Sequence, residues 1–167
     1  MSTQTMNEKD VFLNTNAQEF AITMKLLANY PAGKETFKPA EKSREARELV
    51  WTFMMEEQVV QAAFAGPIEV TGPPPAPKVS IAEIVKMYEK SHTEFVAKLK
   101  ATPESRLNET IKFPVGPKQL GDVRVGDVMW LMLMDHTHHR GQLSVYMRIL
   151  GAKIPSIYGP SGDEPWM

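Results

Sequence analysis

Four segments of the chain repeat apolar residues at three- and four-residue steps, and this pattern constrains the fold more than any other feature. Residues at such steps lie on one face of an α-helix. The segments are helix 1 within Val11–Asn29, helix 2 from Ser43 as N-cap to Ala65, helix 3 near Ile81–Lys100 and helix 4 from about Val125 to Leu150. No segment shows the repeated alternation that an all-β fold requires. The sequence therefore predicts an all-α fold, a single four-helix-bundle domain over residues 1–167.

Helix 3 has the clearest start signal in the chain. Ser80 and Glu83 have the spacing of a capping box, in which each residue satisfies a backbone N–H of the other. Val79 and Ile84 occupy the two positions of a hydrophobic staple around the same turn. The pattern predicts that helix 3 begins directly after Ser80.

Two irregular stretches separate the last three helices. Pro67–Val79 is rich in proline, and at about 3.1 Å per residue it can span roughly 40 Å, whereas a 20-residue helix is about 30 Å long. This length favours a crossover that makes helices 2 and 3 parallel; the alternative is a surface loop between antiparallel helices. The second stretch contains Thr110–Phe113, a candidate short extended piece.

Composition and charge exclude several classes of protein. The chain has no cysteine, which excludes disulfide frameworks, zinc ribbons, iron–sulfur clusters and thiol nucleophiles. A net charge of -1 gives no general attraction for nucleic acid or anionic lipid, so neither is expected as a partner. The longest apolar run, Val128–Met134, is far shorter than the roughly 18 residues of a membrane span. Met1–Asp10 is polar and lacks a secretory signal pattern, so we expect a cytoplasmic protein.

Three of the four histidines crowd into one turn of helix 4: His136, His138 and His139. On a helix, His139 can converge with His136 or Asp135 on one ion, because residues three or four apart share a face. Helix 2 offers Glu56 and Glu57 as carboxylates from a neighbouring helix. A mixed histidine and carboxylate site suits zinc, nickel, iron or manganese. The alternative is a set of surface or hydrogen-bonded histidines that bind no metal.

The remaining ionisable residues of note have structural interpretations. His92 on helix 3 is interpreted as a hydrogen-bonded or half-exposed histidine. Arg140 and Arg148 can bind an anionic substrate or form salt bridges with Asp163, Glu164 or a helix 2 glutamate. The aromatic and turn-rich tail, Ile157–Met167, is predicted to fold back over one end of the bundle.

The segment His138-His139-Arg140-Gly141-Gln142-Leu143, followed by Val145-Tyr146-Met147-Arg148, Gly151, Pro155 and Tyr158-Gly159-Pro160-Ser161, resembles the C-terminal signature of the DinB-like family of four-helix-bundle metalloenzymes. The resemblance implies an up-down-down-up bundle that is often a homodimer. It also implies a divalent metal bound by three histidines, one from helix 2 and two from an HxxxH pair on helix 4.

Only one of the implied ligands is present in this chain. His139 matches the last histidine of the HxxxH pair, but Asp135 stands four residues before it, and Thr52 stands where the family has its helix 2 histidine. Either the site is rebuilt or it has lost its metal. For a rebuilt site the candidate ligands are His139, His136, Asp135 and a helix 2 carboxylate, Glu57 or its neighbour Glu56, with zinc or nickel as the first candidates for the ion.

Two functions follow from this interpretation. The first is a metal-dependent hydrolase, or the thiol-dependent transferase that the resemblance implies, acting on an unidentified small molecule between helices 2 and 4. The second is a non-catalytic bundle with a degenerate metal site and a binding, stress-response or structural role. The missing ligands favour the second, and the retained HHRGQ segment favours the first. The sequence has no basic patch of the kind that DNA-binding proteins carry, so a role in DNA repair is not expected.

Overall fold

Four α-helices carry the fold: α1 Glu8–Leu27, α2 Ala46–Ala65, α3 Ile81–Ala101 and α4 Val125–Ile149. The computed structural model describes residues 6–66, 68, 72 and 74–167. Each helix lies within a few residues of the segment that the apolar periodicity predicts. Within the described residues, no helix combines the length and apolar character that crossing a bilayer requires.

A small antiparallel sheet lies between α3 and α4, so the prediction of an all-α fold is wrong. Strand β1 (Thr110–Gly116) pairs with β2 (Gln119–Arg124), and Ile111 lies opposite Val123. The chain is mostly helical but is not a pure helical bundle. The sequence indicated only the candidate extended piece in β1, because β2 has no buried position and therefore lacks an alternating apolar pattern.

Two apolar clusters at opposite ends of the bundle define the directions of the helices. One joins the C-terminal halves of α1 and α4 to the N-terminal halves of α2 and α3, with Leu26, Leu49, Ile84 and Leu143 among its members. The other joins the opposite halves, with Phe12, Val60, Phe95 and Val128 among its members. Helices α2 and α3 are therefore parallel to each other and antiparallel to α1 and α4.

The chain between α2 and α3 must return along the bundle, because two consecutive parallel helices require it. The predicted crossover, Pro67–Val79, falls partly outside the described residues, namely at 67, 69–71 and 73. Of its described part, Pro74 accepts a hydrogen bond of 3.0 Å from the Trp51 indole N–H on α2.

The starts of α2 and α3 differ in how well the sequence predicts them. At α3, Ser80 Oγ accepts the Glu83 N–H and Glu83 Oε2 accepts the Ser80 N–H, at 3.2 and 3.0 Å, which is the predicted capping box. At α2 the N-cap is Glu45, not the predicted Ser43, and Glu48 Oε2 accepts the Glu45 N–H at 2.7 Å. The Glu48 carboxylate in the first turn thus accepts a hydrogen bond from a backbone N–H at the start of α2, and no serine cap is needed.

Replacing Ser80 by alanine tests the capping box. We expect Ser80→Ala to lower the free energy of unfolding by about 1 kcal/mol, since it leaves the Glu83 N–H without its side-chain acceptor. Urea denaturation of the purified protein measures this. Ser43→Ala is the matched control and should change stability by less than about 0.5 kcal/mol. Equal effects of the two substitutions would contradict the assignment of the two caps.

Candidate metal centre

A layer of buried polar side chains lies between the two apolar clusters, and Glu56 and Glu57 of α2 are at its centre. Each side chain exposes about a twentieth of its surface, at 5% for Glu56 and 4% for Glu57. Neighbouring residues on a helix point about 100° apart, so the two carboxylates contact different helices. Glu56 contacts α4, and Glu57 contacts α3.

Glu56 brings together three potential metal ligands on α2 and α4. Its Oε1 lies 2.6 Å from His139 Nδ1, and Asp135 Oδ1 lies 3.7 Å from the same nitrogen. One ligand atom from each of these residues lies within 4.8 Å of the other two. Asp135 and His139 share a face of α4 because they are four residues apart, as the sequence predicts.

These three residues fit a divalent ion. Ligands at about 2.0 to 2.2 Å from an ion lie up to roughly 4.4 Å apart, so the observed spacing needs only a small adjustment. Two carboxylates and one imidazole suit zinc, nickel, iron or manganese. Glu56 Oε2 is also buried without a hydrogen-bond partner in the described residues, which leaves it available to a cation.

His136 lies beside this cluster and not within it. Its Nε2 is 2.8 Å from Thr23 Oγ1, whose own proton is donated to the Glu19 carbonyl, so Nε2 acts as the donor. The other ring nitrogen, Nδ1, is 3.2 Å from Glu56 Oε2. In a neutral His136, Nδ1 therefore directs a lone pair at Glu56 Oε2. The contact is favourable when a proton lies between these two atoms, on either the imidazole or the carboxyl group.

Glu57, a candidate ligand from the sequence, is separated from the cluster and paired with His92. Its Oε1 lies 2.5 Å from His92 Nδ1, and the imidazole stacks on Phe20 with ring centroids 3.6 Å apart. His92 is thus the hydrogen-bonded histidine that the sequence suggests. Glu56, and not Glu57, approaches His139 because of how α2 is rotated about its own axis. The apolar periodicity of the sequence does not predict that rotation accurately enough to choose between two neighbouring residues.

Thr52 lies one turn before Glu56, at the position where the resemblance implies a histidine. Its Oγ1 donates to the Glu48 carbonyl at 2.8 Å and accepts from Arg44 Nη1 at 3.1 Å. Since the hydroxyl already has a donor and an acceptor partner, it is poorly placed to act as a ligand. The candidate centre therefore takes its α2 ligand one turn later, from Glu56.

Burial favours the neutral forms of the cluster. It raises the pKa of Glu56 to about 7, although the nearby His136 opposes this shift. Burial also lowers the pKa of His139, and the Asp135 carboxylate opposes that shift while Arg44 adds to it. Below neutral pH a proton stays on Glu56, and a metal ion has to displace it in order to bind.

Arg140 and the C-terminal tail support the layer from the side of α1. The guanidinium of Arg140 is almost fully buried and lies 2.6 Å from Glu19 Oε2, which also accepts a hydrogen bond of 2.7 Å from the Tyr158 hydroxyl. The tail is held further by Glu164, which lies 2.6 Å from Lys25 Nζ. The tail thus folds back on the bundle, and Arg140 forms a salt bridge.

A cleft of about 540 Å³ opens between α2 and α4 next to the cluster, a size that suits a small molecule. Its wall includes Arg44, Trp51, Thr52, Met55, Glu56, Val59, Met132 and Asp135. Two of the three candidate ligands therefore face the space where a substrate can bind. His138 is exposed and contacts Gln142, and it is not part of this wall.

A helical bundle with a buried histidine and carboxylate cluster beside a cleft has the architecture of a metal-binding bundle protein. The sequence profile of the DinB family matches residues 1–166, and the chain belongs to this family. The fold agrees with two solved structures, each 23% identical to this chain. A DinB-like protein from Bacillus cereus ATCC 10987 superposes with a TM-score of 0.73, covering 88% of this chain and 95% of that one. The DinB-like protein YjoA from Bacillus subtilis gives a TM-score of 0.60, covering 85% and 93%.

A sequence relative matches part of the chain. Protein YrdA of Bacillus subtilis strain 168 is 33% identical over 82 residues, which is 48% of this chain and 46% of that protein. The matched region therefore spans less than half the length of this curated relative.

The raised pKa of Glu56 predicts a specific dependence of stability on pH. Between about pH 4.5 and 7 the folded protein keeps a proton on Glu56 that the unfolded chain releases, so the contribution of Glu56 to stability is full below that range and falls as pH rises through it. We expect the free energy of unfolding of the metal-free protein, relative to Glu56→Gln, to fall by about 2 to 3 kcal/mol from pH 4.5 to pH 8. Urea denaturation at a series of pH values measures it, and a constant difference would show that Glu56 titrates normally.

Proposed function

We propose that this protein is a metal-dependent enzyme that acts on a small molecule in the cleft between α2 and α4. The observation that carries the proposal is the convergence of Glu56, Asp135 and His139 ligand atoms within 4.8 Å at the wall of that cleft. Zinc and nickel are the first candidates for the ion. Hydrolysis and transfer to a thiol are the two reactions under consideration, and the chain has no cysteine, so the thiol would be a co-substrate.

A divalent ion at such a centre supplies Lewis acidity, which polarises a substrate oxygen or lowers the pKa of a bound water. Three protein ligands leave at least one further position for substrate or water, which is typical of catalytic centres and not of structural ones.

The remaining polar layer holds these ligands in place. His136 lies 3.2 Å from Glu56 Oε2 and is bonded to Thr23, and Thr23 is in turn bonded to the Glu19 carbonyl and to Arg140. Partners of this kind fix the orientation of metal ligands. His138 lies outside the cleft wall and has no role in this proposal.

The proposal includes a homodimer. Four apolar side chains along one exposed face of α4 support it: Leu131, Met134, Val145 and Ile149. An exposed apolar stripe of this kind is typical of a protein interface.

The alternative is a non-catalytic bundle in which the former metal site has become a polar network. Thr52 in place of a histidine favours it, and so does the hydrogen bond of 2.6 Å between His139 and Glu56, which satisfies His139 without an ion. The two functions differ in whether the protein holds metal at stoichiometric amounts.

Metal analysis of the protein purified without an affinity tag separates them. We expect about one zinc or nickel ion per chain after exposure to the metal and dialysis, and loss of that ion in His139→Ala, because one of three protein ligands is removed. His138→Ala is the matched control and should keep the ion, since His138 lies outside the cluster. A wild-type protein without stoichiometric metal would support the non-catalytic bundle.

A further inference from the structure

Arg44 is the only basic side chain among the described residues that line the cleft. Its Nη1 donates one hydrogen bond, of 3.1 Å, to Thr52 Oγ1, and the guanidinium forms no ion pair with a described residue. A guanidinium has five N–H donors, so most of those on Arg44 are available to a ligand. The backbone is anchored independently, because the Arg44 carbonyl accepts a hydrogen bond from Tyr146.

The position of Arg44 relative to the candidate metal centre is fixed by Thr52. Thr52 and Glu56 are four residues apart on α2 and therefore lie on one face, with Cβ atoms about 6 Å apart. The guanidinium bonded to Thr52 is thus roughly one helical turn from the Glu56 carboxylate.

The rest of the cleft combines apolar walls with three carboxylates. Trp51, Met55, Val59 and Met132 provide the apolar surface. The carboxylates are those of Glu48, Glu56 and Asp135, and Glu48 is engaged with the Glu45 N–H at the start of α2. A divalent ion together with Arg44 balances these three negative charges, so once the ion is present the cleft no longer repels an anion and Arg44 is free to attract one.

We propose that the cleft binds a small organic carboxylate, with the carboxylate held by Arg44 and the apolar body packed against Met55, Val59 and Met132. Arginine is suited to this role because its planar N–H groups match the two carboxylate oxygens. This proposal rests on the proposed function, because the ion that offsets the cleft carboxylates belongs to the metal centre. It goes further by assigning a substrate class and the residue that selects it.

Two matched probes test the anion site: 2-naphthoate and its neutral analogue 2-naphthamide. Calorimetric titration of the zinc-loaded protein should show that Arg44→Gln weakens naphthoate binding about tenfold and leaves naphthamide binding unchanged, since a charge-assisted hydrogen bond is lost. Lys42→Gln is the control, because it removes an exposed positive charge two residues away that does not line the cleft. Zinc content and thermal stability are measured for each variant first.

The outcomes separate this proposal from the proposed function. Stoichiometric zinc with equal loss of both probes in Arg44→Gln, or with no loss of either, overturns the anion site and leaves the metal centre standing. If the wild-type protein holds no zinc, the metal centre fails, and the titrations are repeated on the metal-free protein. There, a preference for naphthoate that disappears in Arg44→Gln supports the anion site, while equal affinity for the two probes, or binding of neither, overturns it.

Discussion

The burial of the Glu56 carboxylate in the middle of the bundle is the constraint on which the rest of the structure depends. A carboxylate removed from water costs several kcal/mol unless it is neutralised or paired, so α4 has to present partners at that level. His139 does so with a hydrogen bond of 2.6 Å, and His136 lies 3.2 Å from the other carboxylate oxygen. These contacts set the position of α4 relative to α2 along the bundle axis, and the contact between His136 and Thr23 connects α4 to α1. The polar layer thus fixes a register that the two apolar clusters, which tolerate small shifts, fix less sharply.

The two neighbouring glutamates of α2 show how one layer serves two purposes. Glu57 is paired with His92 on the side away from the cleft, where the stacked Phe20 ring closes the pair off. Glu56 has the same chemistry, but its position borders the cleft and Asp135. Each glutamate keeps one buried oxygen without a hydrogen-bond partner among the described residues. What distinguishes Glu56 is the third potential ligand, Asp135, close to it and to His139.

The sequence predicts the parts of this structure that depend on local spacing. The capping box at Ser80 and the shared face of Asp135 and His139 both follow from distances of three or four residues along one helix. The small sheet escaped prediction because β2 is mostly exposed, and the choice between Glu56 and Glu57 depended on the rotation of α2 against α4. No sequence pattern indicates that Arg44 lines the cleft. It precedes α2, and its hydrogen bond to Thr52 is visible only in the structure.

The change of ligand set alters the charge of the centre, and this links the metal site to the rest of the cleft. Three neutral histidines, which the family resemblance implies, leave a divalent ion with its full positive charge and a strong attraction for anions. Glu56 and Asp135 would cancel the charge of an ion bound between them, which would make that ion a weaker Lewis acid and a weaker anchor for an anion. A chain with these ligands therefore needs a separate cation to hold an anion. Arg44 precedes α2 and is bonded to Thr52, which lies one turn from Glu56 on the same face of that helix and stands in the place of the family's histidine.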